Sequence, residues 1–125
     1  GILIDHPRAR QVPLIFTGPL ISPEWRGRRV KKLGNHHDIP ATLLAGFGLS
    51  TEKFSWSKDL FSRHALDFAY YANENGLGWI SPGRVGFYRF SGRQWHNYGN
   101  AGLLPDERET AQAYLQALYE NFLAL

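Results

Sequence analysis

Two adjacent residues near the start of the chain could bind a metal ion. Asp5 and His6 follow the apolar run 1–4, and carboxylate oxygens and imidazole nitrogens are both ligands of divalent metal ions in enzymes. Only five residues separate His6 from the apolar run that begins at Val12. The pair therefore has two interpretations, as metal ligands or as part of a loop just upstream of a strand, and the sequence alone leaves both open.

A second cluster with metal-binding side chain types is His36-His37-Asp38. Adjacent residues at the start of a helix point in different directions, which does not suit a shared metal ion. Asp38 is also well placed to cap the helix that follows, because Asp is among the preferred N-cap residues. We therefore expect capping and surface roles for these three residues rather than metal binding.

A short basic stretch is the third candidate for a functional site. Five Lys and Arg residues lie between positions 26 and 32, and Trp25 precedes them. Clustered positive charge attracts phosphate and sulfate groups, and an indole ring can stack on a base or a sugar. Trp25, Arg28 and Arg29 are therefore candidates for contacts with an anion or for a place at the border of a substrate cleft. The alternative is a solvated connection, and a net charge of +3 is too small to indicate a nucleic-acid-binding protein.

The composition indicates a folded chain and excludes several kinds of site. Of the 125 residues, 43% are apolar, which is enough to form a core. There is no cysteine, so disulfides, thiolate metal sites and cysteine nucleophiles are excluded. No apolar run approaches the roughly 18 residues that a membrane-spanning helix needs. No cluster of acidic residues offers a full set of metal ligands.

The first half of the chain predicts one strand and one helix. Val12–Phe16 is an apolar run closed by a Thr-Gly-Pro turn, which is typical of a short buried strand. The helix is predicted to have Asp38 as its N-cap and Pro40 in its first turn, and to stop at Gly48. Its apolar residues fall on one face, which we expect to be buried: they are Ile39, Leu43, Leu44 and Phe47.

The second half predicts four antiparallel strands and a closing helix. Turn residues separate the four strands, which we place at 68–72, 77–80, 85–90 and 94–98. Five aromatic residues of these strands are expected to form one packed face: they are Trp79, Phe87, Tyr88, Phe90 and Trp95. Asp106, with Glu109 three residues later, resembles a capping box. Apolar residues then repeat at helical spacing, which predicts a helix lying on the sheet: they are Ala111, Tyr114, Leu115, Leu118, Tyr119 and Phe122.

These elements predict an α+β fold over a single unit, residues 1–125. Residues 1–66 would supply an edge strand and a helix. Residues 67–125 would form a small antiparallel meander covered by the terminal helix. The basic stretch 26–32 lies in the connection between the predicted strand and helix of the first part.

Two segments in tandem resemble the sulfatase family of the alkaline phosphatase superfamily. The first reads RQVPLIFTGP over residues 10–19, and the second reads GNHHDIPATLLAGFGL over residues 34–49. Sulfatases end their catalytic domain with a similar Val-Pro-Leu strand and a D-I-x-P-T-L-L-x-x-x-G-L helix. Here the proline stands one place early, and WSKDL follows at 56–60, both of which are similar to the phosphoglycerol transferases related to lipoteichoic acid synthase. The resemblance covers roughly residues 10–60.

The resemblance implies that the chain is the C-terminal part of an alkaline-phosphatase-like α/β domain. Enzymes of this family use a divalent cation (Mn, Mg, Ca or Zn) and a Thr, Ser or formylglycine nucleophile for displacement at phosphorus or sulfur. Those groups precede the strand at Val12 in chain order, so no catalytic residue and no cofactor are expected in this chain. The exception would be Asp5 and His6 as the family's Asp-His metal pair, although Pro7 replaces the Gly that follows that pair. Alone, the chain is expected to be inactive.

The resemblance also implies partners and a location. The main partner would be the remainder of the catalytic domain, and the isolated chain is expected to self-associate through its apolar segments 12–16 and 43–47. The parent enzyme is expected to act on sulfate or phosphate esters outside the cytoplasmic membrane, in a bacterial periplasm or at the cell surface. Its N-terminal anchor would be its only attachment to the membrane, and no specific nucleic acid is expected as a partner.

A different class of function is also open. The chain could be a non-catalytic binding module for glycans or anionic polymers, with Trp25, Arg28, Arg29 and the aromatic residues of the sheet as its contacts. A free-standing nucleic-acid-binding domain is a third alternative. Salt-dependent retention on heparin separates both from the enzyme hypothesis, because it depends on exposed clustered cations.

Overall fold

The computed structural model describes residues 6–99 and 101–125 and has an α+β fold, as the sequence predicts. A long irregular segment with three short 3-10 turns precedes helix α1 (Ile39–Gly46). A loop then leads to a four-stranded sheet, and helix α2 (Pro105–Leu123) follows the sheet. The strands are β1 (Ala69–Asn73), β2 (Gly76–Ser81), β3 (Arg84–Arg89) and β4 (Gln94–Asn97).

The sheet is an antiparallel meander in the order β1-β2-β3-β4. The side chain of Asn73 closes the first turn, since its Oδ1 accepts hydrogen bonds from the backbone N–H groups of Asn75 (2.9 Å) and Gly76 (3.1 Å). Gly83 has a φ of 74°, which a residue with a Cβ rarely adopts, and it forms the second turn. The predicted meander is therefore confirmed, with every strand end within one residue of the predicted one.

Helix α2 covers one face of the sheet. Tyr114 contacts Trp79 edge-to-face, with ring centroids 5.6 Å apart, and Ala111 is fully buried. The core on this side consists of Leu77, Trp79, Leu103 and Ala111, with Phe68, Tyr70, Tyr88, Trp95, Tyr114 and Leu115 packed around it. The predicted contact between the apolar residues of α2 and the sheet is confirmed for the first half of the helix only. Tyr119 and Phe122 are 61% and 68% exposed, because the helix runs on past the buried part of the sheet.

The aromatic residues of the strands do not share one face, so that prediction is wrong. Trp79 and Tyr88 face α2, whereas Phe87, one position before Tyr88, points to the opposite face because side chains alternate along a strand. Phe87 is nevertheless fully buried, and its ring stacks near that of Tyr71 (6.0 Å between centroids). Phe90 lies beyond β3 and is exposed.

The structure does not form the strand predicted at Val12–Phe16. In the described part of the chain these residues belong to no sheet, and Val12 and Ile15 are 58% and 75% exposed. An apolar run becomes a strand only where another strand supplies hydrogen-bond partners. The described sheet consists of β1–β4 alone, so this run lies on the surface. Val12, Leu14 and Ile15 are exposed there, and the half-buried Phe16 packs near the ring of Phe61 (5.7 Å).

Helix α1 begins and ends where the sequence predicts, but its buried face is different. Asp38 precedes the helix, Pro40 lies in its first turn, and Gly48, with a φ of 69°, follows its end. The buried residues are Ala41 and Thr42, whereas Leu43 and Phe47 of the predicted apolar face are exposed. The side chain of Asp38 does not cap α1; it accepts hydrogen bonds from the backbone N–H groups of Asn35 and Lys58.

The start of α2 corrects a second capping prediction. Pro105 is the first helical residue, and Glu107 accepts a hydrogen bond from the backbone N–H of Leu104 (2.7 Å). The capping carboxylate is therefore Glu107 rather than the predicted Glu109, because the helix begins one residue before Asp106. Glu107 also accepts a hydrogen bond from the Ser81 hydroxyl (2.6 Å), which ties the helix start to the end of β2.

Candidate functional site

A cleft of about 630 Å³ lies on the sheet face opposite α2. One wall is the N-terminal segment around His6 to Val12, and a second wall is the segment around Lys32 to His36. The floor is formed by side chains of β1, β2 and β3 and by the residues after β4. We call this the basic cleft, because five of its lining residues are cationic or imidazole side chains: His6, Arg8, Arg10, Lys32 and His36.

The charged side chains that line the basic cleft in the described residues have one sign. Among the described residues, no Asp or Glu lines it. Residues 6–37, which supply both walls, contain seven Lys and Arg and a single acidic residue, Glu24. A concave surface with one sign of charge raises the local concentration of counter-ions. The basic cleft can therefore attract an anion.

The first wall is held against the sheet through aromatic rings. The imidazole of His6 contacts the ring of Tyr98 edge-to-face at 5.7 Å, and its Nδ1 accepts a hydrogen bond from the backbone N–H of Arg8 (3.2 Å). The guanidinium of Arg10 lies 5.9 Å from the centre of the Tyr71 ring, within the range of a cation–π contact. These contacts place an imidazole and a guanidinium group above a floor of phenol rings.

The second wall is fixed by hydrogen bonds to β1 and to the loop before it. The side-chain amide of Asn35 donates a hydrogen bond to the carbonyl oxygen of Tyr70 and accepts one from the backbone N–H of Tyr70 (3.0 Å). It thus bonds to β1 as a neighbouring strand would. The ammonium group of Lys32 donates to the carbonyl oxygens of Ser62 and Ala65, both at 2.7 Å. Lys32 therefore contributes positive charge to the cleft while its Nζ is engaged on two carbonyl groups.

A buried ion pair lies behind this wall. The carboxylate of Asp38 is 3.8 Å from the ammonium group of Lys58, and Asp38 is 1% exposed. Lys58 also lies over the ring of Phe68 and donates to the carbonyl oxygen of that residue. Burial lowers the pKa of Lys58 below its usual value, and the charges of Asp38 and Asp67 oppose that shift. The pair joins the start of α1 to the loop before the sheet, so its role is to hold the fold together.

Two tyrosines connect the ion pair to the core. Burial raises the pKa of Tyr114 well above its usual value, and the neighbouring Tyr70 adds to that shift. Burial likewise raises the pKa of Tyr70, whose ring lies 5.1 Å from that of Tyr114. Both phenols are therefore neutral at physiological pH and act as packing and hydrogen-bonding groups rather than as acids or bases.

The structure separates the residues that the sequence singles out. Asp5 lies outside the described residues, and His6 lines the basic cleft. Trp25, Arg28 and Arg29 do not line it; Trp25 packs on the ring of Phe61 (4.9 Å) and stays 40% exposed. Arg28 and Arg29 are exposed, and within residues 6–99 and 101–125 no hydrogen bond or ion pair involves their side chains.

His36, His37 and Asp38 form no metal site in the described residues. His36 is exposed and lines the basic cleft, and His37 lies 3.7 Å from Asp38. The predicted surface role therefore holds for His36, whereas the capping role predicted for Asp38 is wrong, because its buried carboxylate does not cap α1. Within residues 6–99 and 101–125, no group of three His, Asp or Glu side chains could hold a metal ion. The same residues include no helix of the length and apolarity that a bilayer span requires.

Several residues of the site carry no signal in the sequence. Arg8 and Arg10 stand apart from the basic stretch 26–32, and only the folded chain brings them against Tyr71 and Tyr98. Lys58 follows Asp38 by twenty positions, and no local pattern indicates that the two pair. A motif search from sequence favours adjacent residues, whereas this site is assembled from distant ones.

Comparison with known proteins gives no match. No protein-family model, no curated protein and no solved structure is significantly similar to this chain.

Proposed function

We propose that this chain is the C-terminal part of a metal-dependent hydrolase or transferase of the sulfatase type, which acts on sulfate or phosphate esters. In this proposal the chain completes an alkaline-phosphatase-like domain and borders its substrate cleft. The nucleophile and most of the metal ligands belong to the remainder of the domain. The chain alone is therefore inactive.

The observation that carries the proposal is the exposure of both motif segments. Val12 and Ile15 of the first segment, and Leu43 and Phe47 of the second, are between 42% and 75% exposed. Scattered exposed apolar residues are normal on a protein surface. Two whole runs whose patterns predict a buried strand and a buried helix face are not normally exposed. Elements of the remaining domain would cover these side chains and supply strand partners for residues 12–16.

The basic cleft agrees with an ester substrate of this kind. Sulfate and phosphate esters carry negative charge at neutral pH, and the side chains that line the cleft bring cations without a described carboxylate. A divalent metal in the parent enzyme would polarise the ester oxygen and activate the nucleophile. The part assigned to this chain is to attract the anionic substrate and to exclude water from one side of it.

The proposal includes the place where the enzyme works. We propose that the parent is extracytoplasmic, in a bacterial periplasm or at the cell surface, and is held there by an N-terminal membrane anchor. Fractionation of the producing cells, with antibodies against this chain, tests the location. Recovery in the cytoplasmic fraction would contradict this part of the proposal without affecting the chemistry.

The activity is tested with the complete gene product. We expect it to hydrolyse 4-nitrophenyl sulfate or bis(4-nitrophenyl) phosphate, and to lose that activity when EDTA removes the metal. The 125-residue chain alone is expected to give no turnover with either compound. Turnover by the isolated chain that persists in His6→Ala and Asp5→Ala variants would contradict our assignment of the catalytic groups to the remainder of the domain.

A second candidate function is a non-catalytic module that binds glycans or anionic polymers. The observation in its favour is the exposure of Trp25, Arg28 and Arg29 on the surface. It predicts retention of the isolated chain on heparin, with elution by salt, and loss of retention in an Arg28→Ala, Arg29→Ala double variant. Failure of the chain to bind heparin at low salt would eliminate this candidate.

A further inference from the structure

We infer that the basic cleft is a binding site for an organic ester with an anionic head and an aromatic or apolar body, with Arg8 and Arg10 as the residues that hold the head. The inference rests on the proposed function for the identity of the anion as a sulfate or phosphate ester. It goes beyond that function because it assigns the binding site, the orientation of the ligand in the site and the residues that determine which ligand binds.

The size of the cleft favours a larger ligand over a bare anion. Its volume of about 630 Å³ lies within the range of pockets that hold small organic ligands, roughly 300–1,000 Å³. An inorganic sulfate or phosphate would leave most of this space to water. The occupant that fits is therefore an anion carried by an organic group.

The lining of the cleft divides into a charged side and an apolar side. His6, Arg8 and Arg10 come from the N-terminal segment and form one rim. The floor contributes apolar side chains and phenol rings from the sheet: these are Tyr71, Ile80, Val85 and Tyr98. A ligand would place its negative head toward the rim and its body against the floor, since apolar surface is stabilised when it leaves water.

Arg10 is the residue best placed to hold the head. The Tyr71 ring, 5.9 Å from the guanidinium, orients the Arg10 side chain. The side chain therefore loses less conformational entropy when it binds a ligand. A guanidinium can donate two parallel hydrogen bonds to the oxygens of a sulfate or phosphate group. Lys32 contributes mainly charge, because its ammonium group donates two of its three N–H groups to the carbonyl oxygens of Ser62 and Ala65.

The experiment measures binding by the 125-residue chain in the presence of EDTA, so that no metal and no turnover are involved. The probes are 4-nitrophenyl sulfate and methyl 4-nitrophenyl phosphate, which share an aromatic body and carry one negative charge each. The neutral control is 4-nitroanisole, and the bare anion control is inorganic sulfate. Binding is followed by isothermal titration, and the site is located from amide chemical shifts in NMR spectra.

We expect both esters to bind with shifts at the amides of Tyr71 and Tyr98, and inorganic sulfate and 4-nitroanisole to bind more weakly by about tenfold or more. An Arg8→Gln, Arg10→Gln variant should weaken ester binding by about tenfold or more, because charge-assisted hydrogen bonds are lost. The matched control, Lys53→Gln with Arg63→Gln, removes the same formal charge at two exposed positions outside the cleft and should change binding by less than about twofold. The tighter of the two esters identifies the head group as sulfate or phosphate.

Two results would overturn the inference. Equal losses in the two double variants would mean that the chain attracts anions through its overall charge. Equal affinity for 4-nitroanisole and 4-nitrophenyl sulfate would mean that the head group is not recognised. Circular dichroism of each variant confirms that it is folded. The outcome is independent of the proposed enzyme, since the cleft can bind an ester even if the remainder of the gene encodes no nucleophile.

Discussion

The carboxylate of Asp38 lies 3.8 Å from the ammonium group of Lys58, and the Asp38 side chain is 1% exposed. Asp38 also accepts hydrogen bonds from the backbone N–H groups of Asn35 (2.8 Å) and Lys58 (3.0 Å). One buried side chain thus joins the wall of the basic cleft, the start of α1 and the loop that leads to the sheet.

We predict that Asp38→Asn destabilises the chain strongly. The change removes the negative charge beside Lys58 and leaves a partly buried ammonium group without its partner, which costs about 3–5 kcal/mol. The free energy of unfolding in urea measures the effect. Glu109→Gln, an exposed carboxylate on α2, is the control and should change the free energy by less than about 0.5 kcal/mol. Equal effects of the two changes would refute the structural role of Asp38.

The raised pKa values of Tyr70 and Tyr114 predict a loss of stability at high pH. In the unfolded chain a tyrosine loses its proton near pH 10, whereas in the folded chain burial keeps both phenols protonated. The unfolded state therefore binds fewer protons than the folded state above about pH 10, and the free energy of unfolding falls as the pH rises. Lys58 has the opposite effect just below its usual pKa, since burial lowers its pKa.

A tyrosine variant separates these opposing contributions. Tyr114→Phe removes one phenol and leaves Lys58 and Asp38 in place, so the fall in unfolding free energy between pH 9 and 11 should be shallower than in the unchanged chain. Tyr119→Phe, an exposed tyrosine on the same helix, is the control and should leave the slope unaltered. The same slope in all three proteins would show that Tyr114 does not titrate abnormally.

Gly76 is predicted to tolerate no side chain. A Cβ at this position would overlap the carbonyl oxygen of Tyr88 and the ring of Phe87, and the carbonyl belongs to the backbone of the neighbouring strand. We expect Gly76→Ala to destabilise the chain by about 1–3 kcal/mol. Gly46→Ala is the control, because a Cβ there meets nothing within 4 Å; it should be neutral or stabilising by about 0.4–1 kcal/mol. Thermal unfolding of the two variants gives the comparison.

The exposed motif segments predict self-association of the isolated chain. Ile15 is 75% exposed in an apolar run without strand partners, and a second copy can cover it. Ile15→Lys should therefore reduce the sedimentation coefficient at high protein concentration toward that of the monomer. Leu66→Lys removes an apolar side chain of nearly equal exposure (73%) outside the segment and should have little effect. A chain that remains monomeric at all concentrations would contradict this prediction.

The sheet could be predicted from sequence because its signals are local. Asn73, Gly83 and Gly92 each mark a turn within a few residues of the strands that they join, and each lies at a turn in the structure. The strand at Val12–Phe16 was predicted from the same kind of local pattern. It is not formed, because strand pairing also requires a partner, and no property of the run itself reveals whether one is present.

The candidate site could be predicted only in part for a related reason. His6 was identified from its neighbour Asp5, but the basic cleft depends on contacts of Arg10 with Tyr71 and of Asn35 with Tyr70 across long stretches of chain. The sequence placed its anion contacts at Trp25, Arg28 and Arg29, where the positive charge is densest. In the structure the concave surface lies elsewhere, because concavity follows from packing and not from charge density.

The sequence of the gene immediately upstream of Gly1 tests the central claim most directly. If the chain is the C-terminal part of a sulfatase-type enzyme, that sequence encodes an early acidic metal ligand and a Thr, Ser or Cys nucleophile after a strand. It also encodes the strands that would cover residues 12–16. An upstream sequence without a nucleophile and metal ligands would contradict the claim and leave the basic cleft as the site of a binding module.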